Sequence, residues 1–255
     1  NSVSYIMGQS LESTISNGIV IGDVSMDELL GIVEQHVANG CKRIKLKVSP
    51  RDGYERTRLV RDAYPELALA VDANQSYTYD QLDMVAAYND LHLLCIEEPF
   101  SMTNLITYKA WKESLPNWPI TTSICLDESI LSYDDLSYAI EHRLIDVLNV
   151  KVGRLGGLIQ TRAAILRCRE AGIPYWIGSM VESGISKTLH VQLSALGDTY
   201  MAGDLSDSSR YFEHDLINPE ISFTDGSMQV PNGAGLGVDV LDNRIEEYTV
   251  EKRTL

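Results

Sequence analysis

The chain has 255 residues and a formal net charge of −15, from 21 Lys and Arg against 36 Asp and Glu. Its basic residues are scattered and outnumbered, which excludes a polyanion-binding surface, so neither nucleic acid nor a membrane is an expected partner. With 44% hydrophobic and 22% charged residues, the composition is that of an ordinary globular core rather than a disordered or fibrous chain.

No run of about 18 apolar residues exists to span a bilayer, and the N-terminus lacks a basic-then-apolar signal, so a cytoplasmic protein is expected. Cys41, Cys95, Cys125 and Cys168 lie far apart, which argues against a disulfide framework or a zinc site. The chain starts at Asn1 rather than Met, as a processed product or a fragment of a longer polypeptide would.

Eight short β-rich runs recur about every 25 residues, at 18–21, 43–48, 67–71, 93–96, 124–126, 147–152, 175–177 and 200–202. Between the first two, Ser25 and Glu28 form a capping box ahead of a helix over 26–39, whose Leu29, Leu30, Val33 and Val37 share one face. Thr78 with Gln81 repeats the box, and Gly40 and Gly172 fall where helix C-caps belong. Strands alternating with helices predict a parallel sheet with helical crossovers, and eight such units favour a TIM-type (β/α)-barrel over a flavodoxin-like or Rossmann sheet. After Leu205 the repeat stops. Runs at 221–223 and 228–230 flank Asp225 and Gly226 as a hairpin would, and the glycines at 233–237 lack the strand-then-helix context of a dinucleotide loop.

In a closed barrel, chemistry gathers at the C-terminal strand ends. Those ends carry, in order, Lys45 and Lys47, Asp72 and Asn74, Glu97, Asp127, Lys151 and Asp204. Alternation along a strand tests whether they share one cavity: Lys47 inward carries Lys45, Asp72 carries Ala70, Glu97 carries Cys95, Asp127 carries Cys125, and Lys151 carries Asn149. The parity agrees on every strand and leaves small residues below the charges.

Three carboxylates on adjacent strands repel unless a cation lies between them, and an all-oxygen set favours Mg²⁺ or Mn²⁺ over zinc. Lys47 and Lys151 flank the trio from opposite sides, so an amine on each face of a bound carboxylate substrate can take or give a proton. A lysine base must be neutral, which requires its pKa to fall from about 10.4; Lys45, two residues away on the same face, is expected to help as a like charge. The inferred chemistry is proton abstraction α to a carboxylate.

The ordered series Lys45 and Lys47, Asp72 and Asn74, Glu97 to Pro99, Asp127 to Ser129, and Asn149 and Lys151 resembles the enolase superfamily, in its muconate-lactonising subgroup. Residues 152–157, 181–184, 203–206 and 209–212 look most like the group that holds o-succinylbenzoate synthases and N-succinylamino acid racemases. The resemblance implies a modified (β/α)7β barrel over 17–206, with 1–16 a remnant of a capping-domain linker and 207–255 a C-terminal appendage. It also implies Mg²⁺ on Asp72, Glu97 and Asp127. Lys47 would abstract the α-proton and then protonate the departing hydroxyl, and Lys151 would stabilise the enediolate. In racemisation both lysines would exchange protons. Asn74, Asp204 and the backbone of Ser183 and Gly184 would bind substrate, the last two at a helix N-terminus facing a succinyl carboxylate.

Two departures bear on this. Such proteins normally carry an N-terminal α+β capping domain of roughly a hundred residues, not seen in this sequence, so a wetter site, an associating capping segment or a homo-oligomer is left open. Where the group often has Arg after the Glu-Ser-Gly loop, this chain has Lys187, a point charge in place of a planar fork. The alternatives are a dipeptide epimerase, which usually carries an Asp-x-Asp where this chain reads Asp204, Leu205, Ser206, and a non-catalytic barrel fragment.

Overall fold

The structure, a computed structural model, describes residues 1–253. Ahead of the main sheet lie α1 (Ser2–Met7) and β1 (Thr14–Ser16). The repeat then runs β2 (Gly18–Ile21), α2 (Met26–Ala38), β3 (Arg43–Lys47), α3 (Gly53–Ala63), β4 (Leu69–Asp72), α4 (Leu82–Ala86), β5 (Ile96–Glu97) and α5 (Leu105–Ser114). It continues with β6 (Ile124–Leu126), α6 (Tyr133–Glu141), β7 (Val147–Val150), α7 (Leu158–Ala171), β8 (Tyr175–Ile177) and α8 (Gly184–Ser194). The last elements are β9 (Ile217–Asn218), β10 (Ser227–Gln229), β11 (Asp239–Val240) and α9 (Asp242–Tyr248).

Strands β2 to β8 form one parallel sheet in chain order, the arrangement expected when each strand is followed by a helix packed on the outer face. The helices begin where their caps dictate. Ser25 and Glu28 close a capping box on α2, and Gly172 ends α7 with φ 69°. Asn39, rather than Gly40, caps α2; Gly40 follows it with φ 80°.

The strand expected at 200–202 does not form. That segment instead links the two sheet edges through a few bonds: Tyr200 N–H donates to the Tyr175 carbonyl at 2.7 Å, Gly18 N–H donates to the Gly203 carbonyl at 2.8 Å, and Asn17 bridges Gly203 in parallel. Two close contacts mark this segment. The buried Arg43 guanidinium takes the Ala202 carbonyl at 2.8 and 3.0 Å, and Gly203 lies so near β8 that a Cβ there would meet the Ile177 carbonyl oxygen at 2.4 Å. The result is a (β/α)7β barrel whose eighth stave is irregular.

Inside, Ala70, Cys95, Cys125 and Val147 form one buried layer with Trp176. Four small side chains leave room for the indole, which offers its face to Lys45 Nζ at 4.8 Å and to Arg43 at 5.0 Å. The four cysteines are free. Among the described residues no helix is long and apolar enough to cross a membrane.

The residues before and after the barrel pack on each other rather than independently. Asp225 and Gly226 make the expected turn, closed by a Thr224 to Ser227 bridge, but 221–223 does not pair with 228–230. The free edge of β10 is taken by β1, with Ile15 opposite Met228, and Ile15, Val191, Leu205, Ile217, Ile221 and Val230 share a small core over α8. Gly226 touches the Gly40 backbone: a Cβ would lie 1.9 Å from the Gly40 oxygen, at a φ of +69°. Gly226→Ala is therefore expected to destabilise the fold by more than about 1 kcal/mol in a urea titration, because neither backbone can yield. An unchanged midpoint would refute that contact.

Candidate active site

The parallel register places the charged strand ends side by side. Lys47 is opposite Asp72, Asp72 is opposite Glu97, and Glu97 is opposite Cys125, two residues before Asp127. A cavity of about 300 Å³ opens above them, bounded by Lys47, Lys151, Asp72, Asp204, Met180 and Val181. A larger one, about 720 Å³, lies outside the barrel against β2, α2 and residues 206–226 and contains none of the expected catalytic or metal-binding residues. Chemistry rather than size selects the smaller cavity.

Each expected acid is buried and answered by a cation. Lys47 Nζ donates to Asp72 Oδ2 at 2.6 Å and to Asn74 Oδ1 at 2.5 Å. Lys151 Nζ reaches Asp127 Oδ2 at 2.5 Å. Glu97 accepts from Lys45 at 2.8 Å and from Asn149 Nδ2 at 2.9 Å. Burial works to raise the Asp72 carboxyl, but Lys45 and Lys47 hold it below the usual carboxylate range. Burial also pushes Glu97 up, and the like charges of Asp72, Asp127 and Asp204 add to the rise. That repulsion is the physical reason a further cation is stabilising here.

Among the described residues, no three carboxylate, imidazole or thiolate groups already stand at ligating separation. The donor chemistry nevertheless fits a hard divalent ion. All three side chains offer oxygen, and Asp127 Oδ1 is buried without a hydrogen-bond partner, although Arg154 Nε comes to 3.1 Å out of alignment. An ion there would take over charge that the lysines now supply.

These contacts commit several of the expected site residues to partners within the protein. Lys45 is not a bare like charge beside Lys47: its buried ammonium donates to Glu97 Oε2 at 2.8 Å and lies at ion-pair distance from Asp204 (2.7 Å) and Asp72 (3.3 Å). Burial alone would lower its pKa, but those three acids raise it well above the ordinary lysine value. In this arrangement the ammonium is a counter-ion shared by the three acids. Asp204, expected to meet substrate, is committed to Lys45 and to Arg43. Asn74 has both amide ends occupied, accepting from Lys47 and donating to Glu128 Oε1 at 2.7 Å. Ser183 and Gly184 do begin α8, but the Gly184 N–H is already taken by the buried Asp215 carboxylate at 2.8 Å. Neither residue lines the cavity.

The sequence profile of the Enolase C-terminal domain-like family matches residues 28–244. The chain belongs to this family. An o-succinylbenzoate synthase of Geobacillus kaustophilus is 36% identical over 92% of this chain and 62% of its own length. An N-succinylamino acid racemase of Thermus thermophilus is 35% identical over 96% of this chain and 64% of its own. The crystal structure of an unknown member of the enolase superfamily from Enterococcus faecalis superposes with a TM-score of 0.88 at 30% identity, covering 96% of this chain and 65% of that one. The chain thus spans less than two thirds of these relatives.

Within this enolase-family barrel, four contributors stand in the sequence motifs without an expected role in the site. Glu98 is buried and accepts from the Asp127 and Ser129 amides at 2.8 and 2.7 Å, which fixes the turn carrying Asp127. Burial raises its carboxyl to about 7, although those hydrogen bonds oppose the rise. Arg154 faces Asp127, Asn149 orients Glu97, and Glu128 holds Asn74. Signals existed for three of them: Glu98 and Glu128 each follow a strand-end acid, and Arg154 sits inside the glycine-rich run at 152–157. Lys187 is buried and donates to the Ser206 and Asp207 carbonyls at 3.1 Å each, so its charge does not face the cavity.

Proposed function

We propose that this barrel carries the site of an enzyme that removes a proton α to a carboxylate, and that its reaction is the dehydration of a cyclohexadiene carboxylate to o-succinylbenzoate, a lyase step of menaquinone biosynthesis. N-succinylamino acid racemisation is the companion activity. The observation that carries the reading is that Lys47 and Lys151, on strand ends at different sides of the barrel, border one cavity and are each tethered to a different acid of the trio. The names of the relatives support it.

Asp72, Glu97 and Asp127 would hold Mg²⁺, or Mn²⁺ in its place. When bound, the ion neutralises the negative charge that develops on the substrate carboxylate. Lys47, as the neutral amine, removes the α-proton; in the dehydration it then returns that proton to the departing hydroxyl on the same face. Lys151, held by Asp127, keeps an ammonium against the anionic intermediate. In racemisation it delivers a proton to the opposite face, so both lysines serve as acid and base in turn. Lys45, Arg43 and Asp204 form the buried ionic floor beneath this pair. The commitment of Asp204 to Arg43 and Lys45 speaks against a dipeptide epimerase, which needs free carboxylates for the substrate ammonium.

Incubation with Mg²⁺ and N-succinylamino acids in D₂O is expected to erase the substrate α-proton signal in NMR. Calorimetric Mg²⁺ binding with no exchange and no dehydration would leave a non-catalytic barrel, whereas exchange confined to dipeptides would point to the epimerase.

A further inference from the structure

We infer that Glu128 is a positioning residue that aims the lone pair of Lys47 into the cavity through the amide of Asn74. The inference rests on Lys47 being the base of the proposed reaction. Lys47 Nζ has two fixed acceptors, Asp72 Oδ2 at 2.6 Å and Asn74 Oδ1 at 2.5 Å. A neutral amine keeps two N–H bonds and one lone pair. When both N–H bonds point at those oxygens, the lone pair is left on the remaining side of the nitrogen, and Lys47 is one of the side chains that border the cavity.

This holds only if Asn74 presents its oxygen and not its nitrogen to Lys47. An amide can be turned over at little cost, and the reversed form would donate into the lone pair and hide it. Glu128 decides the orientation. Its Oε1 accepts from Asn74 Nδ2 at 2.7 Å, and a carboxylate can only accept, so the NH₂ end must face Glu128 and the oxygen must face Lys47. The other oxygen of Glu128 is buried without a partner, so the contact to Asn74 is the one that satisfies this side chain.

The backbone is shaped to the same end. Asn74 and Gln75 hold left-handed φ values of 43° and 61°, a conformation uncommon for residues with side chains. It is pinned by the Gln75 N–H to the Glu98 carbonyl at 2.7 Å, and the Asn74 N–H donates to Asp72 Oδ1 at 3.0 Å.

Glu128→Gln tests the inference, because glutamine keeps the size but can donate, which permits Asn74 to turn over. In the full chain with Mg²⁺, kcat for α-proton exchange should fall about a hundredfold while KM stays within about twofold. Glu128→Asp, which keeps an acceptor-only group, should recover much of that loss. Independently of turnover, the side-chain amide resonances of Asn74 should shift in Glu128→Gln and stay near the parent positions in Glu128→Asp. A wild-type kcat in Glu128→Gln, or Asn74 amide resonances that do not move, overturns the inference. If the parent chain itself exchanges no proton, the functional reading fails, and the amide spectra still decide whether Glu128 sets the orientation of Asn74.

Discussion

Lys47→Ala is expected to lower α-proton exchange and dehydration by about 10²–10⁴-fold each while leaving Mg²⁺ affinity close to that of the parent. The two activities should fall together because one nitrogen serves both, first as base and then as the acid for the departing hydroxyl. The ion site should survive because Asp72 keeps two partners when Lys47 is removed, the Asn74 amide at 3.0 Å and Lys45 at 3.3 Å, and Glu97 and Asp127 do not bond Lys47. Calorimetry for the metal and NMR for exchange separate the two effects. Near-normal turnover would remove Lys47 from the chemistry; loss of metal binding alongside turnover would instead make it part of the ion site.

Asp204→Asn should produce the largest loss of stability, about 3–5 kcal/mol at neutral pH, because it strips the shared counter-ion from two buried cations. Arg43 and Lys45 are 1% and 2% exposed, and both bond Asp204 directly. The pH dependence has a definite sign. Burial alone would raise the Asp204 carboxyl, but Arg43 and Lys45 hold it well below the ordinary carboxylate range. A depressed native pKa stabilises the fold above the unfolded value of about 3.9 and ceases to do so as pH falls toward the native one. The gap between wild type and Asp204→Asn should therefore be full at pH 7 and narrow below about pH 4 in urea titrations. A gap that does not change between those pH values would show that the carboxylate charge is not what matters.

Much of the arrangement can be read from order and parity alone. Strand alternation has a period of two, so Lys47 inward forces Lys45 and Arg43 inward, and Asp72 forces Ala70. Parallel strands taken in chain order make neighbours of Lys47, Asp72 and Glu97. Both rules are local, so a linear sequence contains them. Helix starts are local as well, which is why the Ser25 and Glu28 box is found where the residues place it.

The rest depends on contacts between segments far apart in the chain. Where a strand is expected at 200–202, the Ala202 carbonyl is taken by Arg43, 159 residues away. The Gly184 N–H at the start of α8 is taken by Asp215, 31 residues away. Asp204 and Asn74 are polar residues at strand ends, and nothing in their neighbours along the chain says that Arg43, Lys45 and Glu128 would use up their hydrogen-bonding capacity. The amino-acid order determined which residues face the barrel mouth, since backbone geometry alone sets that; only the closed barrel decided which of them remain free for chemistry, since a buried polar group bonds whatever the fold brings within reach.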